Sequence, residues 1–190
     1  MREFYTFPNL LSLTRVGLGA MAALWIVSGS RAYLIGAAVL VALGELTDFL
    51  DGYLARRSGS TSEFGKSLDA TCDAIFHLSI FLALLVVGWM PWWAAVAIYA
   101  AEITLPYLRS FSKQLGAVAT SQALDAARSA AHGLTQIAVV LIVFFRGSLF
   151  SVSGIEVVPV VFTLDVLVTL AALAANIGPL VKAYRTQDRM

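Results

Sequence analysis

From Asn9 to Ser28 the sequence runs for twenty residues with a single charge, Arg15, and stretches of this kind recur along the chain. About 20 apolar residues of helix cross the hydrocarbon core of a bilayer, where each backbone polar group must be satisfied within its own segment. Further stretches run over about 32–56, 64–87, 92–115, 121–145 and 157–184. Pro91, Trp92 and Trp93 mark an interfacial turn, and residues 146–156 form a turn-rich loop. Composition agrees: 59% of the residues are hydrophobic and 13% charged, against roughly 25% charged in soluble domains. A soluble globule of this size has too little interior to hide so much apolar surface. The expected fold is an all-α integral membrane protein of six transmembrane helices, one domain over residues 1–190. A short interfacial segment, Met1 to Phe7, precedes them with Phe4, Tyr5 and Phe7. Arg15 interrupts the first stretch and no clear small-residue cleavage site follows it, the pattern of a retained helix rather than a signal peptide.

Three classes drop out early. One cysteine permits neither an intrachain disulfide nor a thiolate metal cluster. A net charge of +1 lacks the basic excess of a dedicated nucleic-acid binder. Disorder is excluded by the apolar content. Six crossings put both ends on one side, together with Arg2, Arg15, Arg56, Arg57, Lys66, Arg109, Lys113, Arg128, Lys182, Arg185 and Arg189. Only Arg31 and Arg146 fall on the other side, and this bias places the ends in the cytoplasm.

Carboxylates are costly at membrane depth and mark function there. Asp48 and Asp51 lie about 60° apart on a helix, and Asp69 and Asp73 about 40° apart, so each pair shares one face. The residues from Arg57 to Phe64 let the second and third helices return antiparallel, bringing the pairs face to face near the cytoplasmic surface. Four carboxylates this close cannot all stay ionised alone. Crowded oxygen ligands suit a hard divalent cation, Mg²⁺, Mn²⁺ or Ca²⁺, and a two-metal arrangement would serve an in-line phosphoryl displacement. Gly52 and Ala55 leave one helix face nearly bare for a bulky group, and Arg56 offers a planar fork to a phosphate.

The pattern Asp48-x-x-Asp51-Gly52-x-x-Ala55-Arg56, eight residues, Gly65-x-x-x-Asp69-x-x-x-Asp73 resembles the complete motif of the CDP-alcohol phosphatidyltransferases. Pro8-Asn9-Leu10 with Thr14-Arg15, and Glu102 with Leu108-Arg109 and Gly116, resemble phosphatidylglycerophosphate synthases within that family. The resemblance implies that an alcohol attacks the lipid-side phosphorus of CDP-diacylglycerol and CMP leaves. It implies that Asp48, Asp51 and Asp69 hold two ions, Mg²⁺ or Mn²⁺. Asp73 would complete the metal site and take the alcohol's proton. Asp51, Gly52, Ala55, Arg56 and Gly65 would bind the CDP-lipid. A homodimer in a bacterial inner membrane, its active site facing the cytoplasm, is the corresponding expectation.

Arg109, Lys113 and Arg128, at the cytoplasmic ends of the fourth and fifth helices, are placed to ring an acceptor phosphate, which favours glycerol 3-phosphate. Two departures point instead to inositol, serine or choline. Ala101 stands where phosphatidylglycerophosphate synthases carry Arg, and Arg128-Ser-Ala130 stands in place of Lys-x-Lys. A divalent-cation carrier is the rival from another class, although it has no need of Gly52, Ala55 and Arg56. His77, His132 and Cys72 read as packing residues; Glu45 falls one turn before Asp48, and Asp165 has no evident role.

Overall fold

A computed structural model describes residues 7–58, 63–114, 122–147, 151–152 and 155–187. Among these residues there are six helices: α1 (Phe7–Ser28), α2 (Arg31–Ser58), α3 (Glu63–Val86), α4 (Trp92–Gln114), α5 (Gln122–Arg146) and α6 (Val157–Gln187). Each stands where an apolar stretch predicts one, with ends displaced by no more than a few residues. The loop before α6 holds something the sequence did not announce, a two-residue antiparallel pair of β1 (Ser151–Val152) and β2 (Ile155–Glu156). Residues 1–6, most of the expected interfacial segment, lie outside the described residues.

The connections explain the antiparallel order. α1 ends at Gly29, whose φ of 68° suits a residue without Cβ; its N–H donates to the Ile26 carbonyl at 3.1 Å. The Ser30 carbonyl then accepts from Tyr33 and Leu34, opening α2 at once. Gly88, with φ 77°, closes α3, and the N–H groups of Trp89 and Met90 fold back onto the Leu84 carbonyl. Ala94 and Ala95 donate to the Pro91 carbonyl, which starts α4 at the predicted interfacial turn. α1 packs along both α2 and α3, α5 rests on α2, and α6 is held by α4 and α5.

Side chains are distributed inside out relative to a soluble bundle. Leu24, Val96, Ile103, Leu134 and Leu164 are each at least 61% exposed, whereas Arg15, His132 and Gln136 have no exposed surface. That pattern fits helices solvated by lipid, with polar groups turned inward to partners. Among the described residues α1, α3, α5 and α6 contain segments long and apolar enough to cross a membrane. α2 runs into the acidic segment and α4 carries Glu102, Pro106 and Arg109, and neither is among the four.

Phe76 fills the crossing of α1, α2 and α3. A Cβ on Gly19 would come within 2.9 Å of its ring, and one on Gly44 would collide with it. Phe76→Ala should therefore cost about 3–5 kcal/mol, read from unfolding of the detergent-solubilised protein. Gly44→Val should also destabilise, yet less in the Phe76→Ala background, because the ring it strikes is gone. Additive losses would show that the contact does not limit this crossing.

Candidate active site

Arg15 is the hub of the site. It faces inward from α1 with no exposed surface, one turn after Ser12, which is also buried. Its Nη1 lies 2.8 Å from Asp48 Oδ1 on α2 and 3.5 Å from Asp73 Oδ1 on α3, and its Nη2 lies 3.6 Å from Asp69 Oδ1. Ser12 Oγ donates to Asp69 Oδ1 at 3.1 Å. One guanidinium thus gathers carboxylates from two helices, the convergence that their spacing predicts. Asp51, Gly52, Ala55 and Arg56 belong to the part of α2 whose side chains lie outside the described residues, as does Lys113 on α4. Gly65 falls in the first turn of α3 and is half-buried.

The carboxylates keep an open edge. Their side chains are 37% (Asp48), 43% (Asp69) and 18% (Asp73) exposed, and they form one wall of a cleft of about 190 Å³. The facing wall carries Glu102 and Arg109 from α4 with Arg128 and Ser129 from α5. The three acids share the Arg15 guanidinium and still turn oxygens toward the cleft. The donors are all oxygens, which is the chemistry of a hard divalent ion. Among the described residues no three His, Cys, Asp or Glu side chains stand in a ready metal-holding arrangement. The donor set fits such an ion on its open edge, where Asp48, Asp69 and Asp73 would hold it.

Behind Asp73 lies a histidine whose spacing, one turn on, admits a tuning role but which reads from sequence first as a packing residue. His77, one turn on, is 1% exposed, and its Nε2 is 3.3 Å from Asp73 Oδ1 and 3.6 Å from Glu45 Oε1. Ser129 donates weakly to both oxygens of Asp73, at 3.4 Å each. Glu45 reaches this place because residue 133 is glycine; a Cβ there would run into its carboxylate.

A second polar cluster ties the far wall together. Arg128 is ion-paired with Glu102, and both are 7% exposed. His132 places Nε2 3.2 Å from Glu102 Oε1 and Nδ1 2.8 Å from Asp165 Oδ1. Asp165, unexplained in the sequence, is thus the α6 end of a chain joining α4, α5 and α6. Arg109 and Arg128 both reach the cleft, and Arg128 is engaged there by Glu102. The signal for Arg15 was available as a lone cation inside an apolar stretch. No spacing rule connects Glu102, His132 and Asp165 across three helices.

The family model of the CDP-alcohol phosphatidyltransferases matches residues 5–177. A CDP-diacylglycerol–glycerol-3-phosphate 3-phosphatidyltransferase of Treponema pallidum is 32% identical over 139 residues, 70% of this chain and 64% of that protein. A phosphatidylinositol phosphate synthase of Corynebacterium glutamicum is 40% identical over 86 residues, 45% of this chain and 36% of that one. The matched stretches therefore span less than two thirds of these curated relatives. The crystal structure of a Mycobacterium tuberculosis phosphatidylinositol phosphate synthase, in complex with manganese and citrate, has the same fold at a TM-score of 0.55. It is 20% identical, with 94% of this chain and 83% of that one covered. With the family model matched over most of its length and the fold in agreement, the chain belongs to the CDP-alcohol phosphatidyltransferase family.

Proposed function

We propose that this protein transfers a phosphatidyl group from CDP-diacylglycerol to a polar alcohol and releases CMP. The observation that carries this reading is the convergence of Asp48, Asp69 and Asp73 on one cleft whose other wall carries Arg109 and Arg128. The alcohol oxygen bonds to the lipid-side phosphorus, the bond from that phosphorus to the bridging oxygen breaks, and CMP departs with that oxygen. The alcohol's proton passes to Asp73. Asp48, Asp51 and Asp69, completed by Asp73, would hold Mg²⁺ or Mn²⁺ as a pair of ions, whose chemistry is to neutralise the pyrophosphate. Gly52, Ala55, Arg56 and Gly65 leave room for the cytidine diphosphate and Arg56 pairs with it, with Asp51 shared between metal and nucleotide. Arg15 fixes the spacing of the acids, so the reacting groups meet without rearrangement.

The acceptor that the cleft favours is glycerol 3-phosphate, met by Arg109, Arg128 and Lys113. The pairing of Arg128 with Glu102 favours a second reading, an alcohol without phosphate, because the Arg128 charge is already met by an acid. The proposal extends to architecture. All six helices cross the membrane as one domain over residues 1–190, with the termini and the cleft on the cytoplasmic side of a bacterial inner membrane. Two copies form a homodimer.

Purified protein with CDP-diacylglycerol, Mn²⁺ or Mg²⁺ and a panel of glycerol 3-phosphate, inositol, inositol phosphate, serine and choline should release CMP with one acceptor. Silence across the panel, or Mn²⁺ flux into liposomes lacking CDP-lipid, would count against the reading. Asp73→Asn should lower kcat by about 10²-fold or more while CDP-lipid binding persists. Arg109→Gln should raise KM for a phosphorylated acceptor and leave a neutral one unaffected.

Arg15→Met leaves the acids to repel one another. It should destabilise the protein in EDTA by about 1–3 kcal/mol, discounted for their partial exposure. Added Mn²⁺ should recover more stability in this variant than in the parent. Equal recovery in both would separate Arg15 from the charge balance of the site.

A further inference from the structure

We propose that His77, oriented by Gln136 and flanked by Glu45, is a positioning residue that fixes the orientation of the Asp73 carboxylate toward the acceptor hydroxyl. The inference rests on the phosphatidyl-transfer reading and assigns a task to polar residues behind the acidic wall.

Gln136, on α5, grips His77 at two points. Its Nε2 donates to the His77 backbone carbonyl at 2.9 Å, and its Oε1 lies 3.3 Å from Nδ1 of the same residue. Neither side chain is more than 1% exposed. With its amide nitrogen committed to the carbonyl, Gln136 holds the turn of α3 that carries the ring. Packing directs the ring itself: it meets Phe76 and His132 edge-on, with centroids 5.1 and 5.5 Å away. The edge so directed carries Nε2 to within 3.6 Å of three oxygens, those of Asp73, Ser129 and Glu45.

Asp73 is approached from three helices. Its carboxylate lies 3.5 Å from Arg15 Nη1 of α1, 3.3 Å from His77 Nε2 one turn on along α3, and 3.4 Å at each oxygen from the Ser129 hydroxyl of α5. Contacts from three directions limit rotation of the carboxylate, and the one from His77 depends on how that residue is held. Glu45 completes the arrangement from α2, its carboxylate lodged in the space left by Gly133. The groups facing His77 thus come from α2 (Glu45), α3 (Asp73) and α5 (Ser129, His132 and Gln136), and Arg15 of α1 meets it through Asp73.

Groups that orient the reacting residues from behind change activity by about 10–100-fold when removed, without contacting substrate. His77→Leu should therefore lower kcat for CMP release by about 10–100-fold, with KM for CDP-diacylglycerol and the Mn²⁺ concentration for half-maximal activity changed less than about threefold. His77→Gln keeps an amide nitrogen near the Nε2 position and should recover most of the loss. Gln136→Leu, which does not reach Asp73, should lower kcat in the same direction by a smaller factor. It should add little in the His77→Leu background, since its effect travels through His77. Wild-type protein that releases no CMP would sink the functional reading. Active wild-type protein with undiminished kcat in His77→Leu would overturn only the positioning role. So would a loss confined to acceptor KM, a lack of rescue by Gln, or multiplicative losses in the double variant. If His77→Leu does not fold, the comparison of Gln136→Leu with His77→Gln decides the matter by the same kcat-against-KM split.

Discussion

The ion pairs of Arg15 with Asp48, Asp69 and Asp73 are what the rest of the site depends on. Carboxylates from two helices repel at this range, and the repulsion grows as the surroundings become less polar. A guanidinium offers several donors in a rigid plane and stays charged when buried, so one residue can serve three acids where a lysine ammonium would be a point charge. The cost is desolvation of Arg15, whose exposure is zero. That cost is offset by contacts from several acceptors and by the tight packing of α1 on α2 and α3. The same packing uses glycine at residues 19 and 44, where Phe76 fills the space, so backbone approach and charge pairing act on the same three helices.

The other wall of the cleft is braced differently. Glu102, Arg128, His132 and Asp165 join α4, α5 and α6 through contacts of 3.4 Å or less, nearly all shielded from solvent. In a lipid-facing bundle apolar packing gives little preference for one helix register over another, because lipid is as apolar as the side chains. A buried polar chain does discriminate, since a one-turn slip of α6 would strand Asp165 and His132 without partners. The two cationic residues of this wall, Arg109 and Arg128, are therefore presented from helices whose register is fixed. An acceptor entering the cleft would meet a rigid surface.

Hydropathy alone located all six helices, because the period of the membrane problem is about 20 residues and each stretch announces itself. The acidic pairs were legible for a related reason: polar residues are so scarce that four aspartates at helical spacing are conspicuous, and the antiparallel return of α3 brings Asp48, Asp69 and Asp73 together, the Asp51 side chain lying outside the described residues. Arg15 was visible as an interruption of the first stretch but not as the hub, because nothing in local sequence says which face of α1 meets α3. His77 and Asp165 were read too modestly for the same reason. Their partners, Gln136 and His132, lie 59 and 33 residues away, and pairing over such separations is a property of helix packing alone. Arg128 is the converse case, since its charge was legible and its engagement by Glu102 was not.

Solvent access falls steadily through the site, and the order matters for the proposed chemistry. Asp69 is 43% exposed, Asp48 37%, Asp73 18% and His77 1%. Groups that would hold hydrated ions and a water-soluble nucleotide stand at the wet edge, where exchange is easy. The base proposed for the alcohol stands deeper, with its orienting histidine fully enclosed. Water is itself a competing acceptor, and a CDP-lipid hydrolysed by water is lost to synthesis. Limiting the access of bulk water to Asp73 would favour an alcohol that is bound and held over one that merely diffuses in. Partial burial of the proposed base would in this way favour transfer over hydrolysis, and with few waters to reorient around it the direction of the Asp73 carboxylate would be set by its protein contacts.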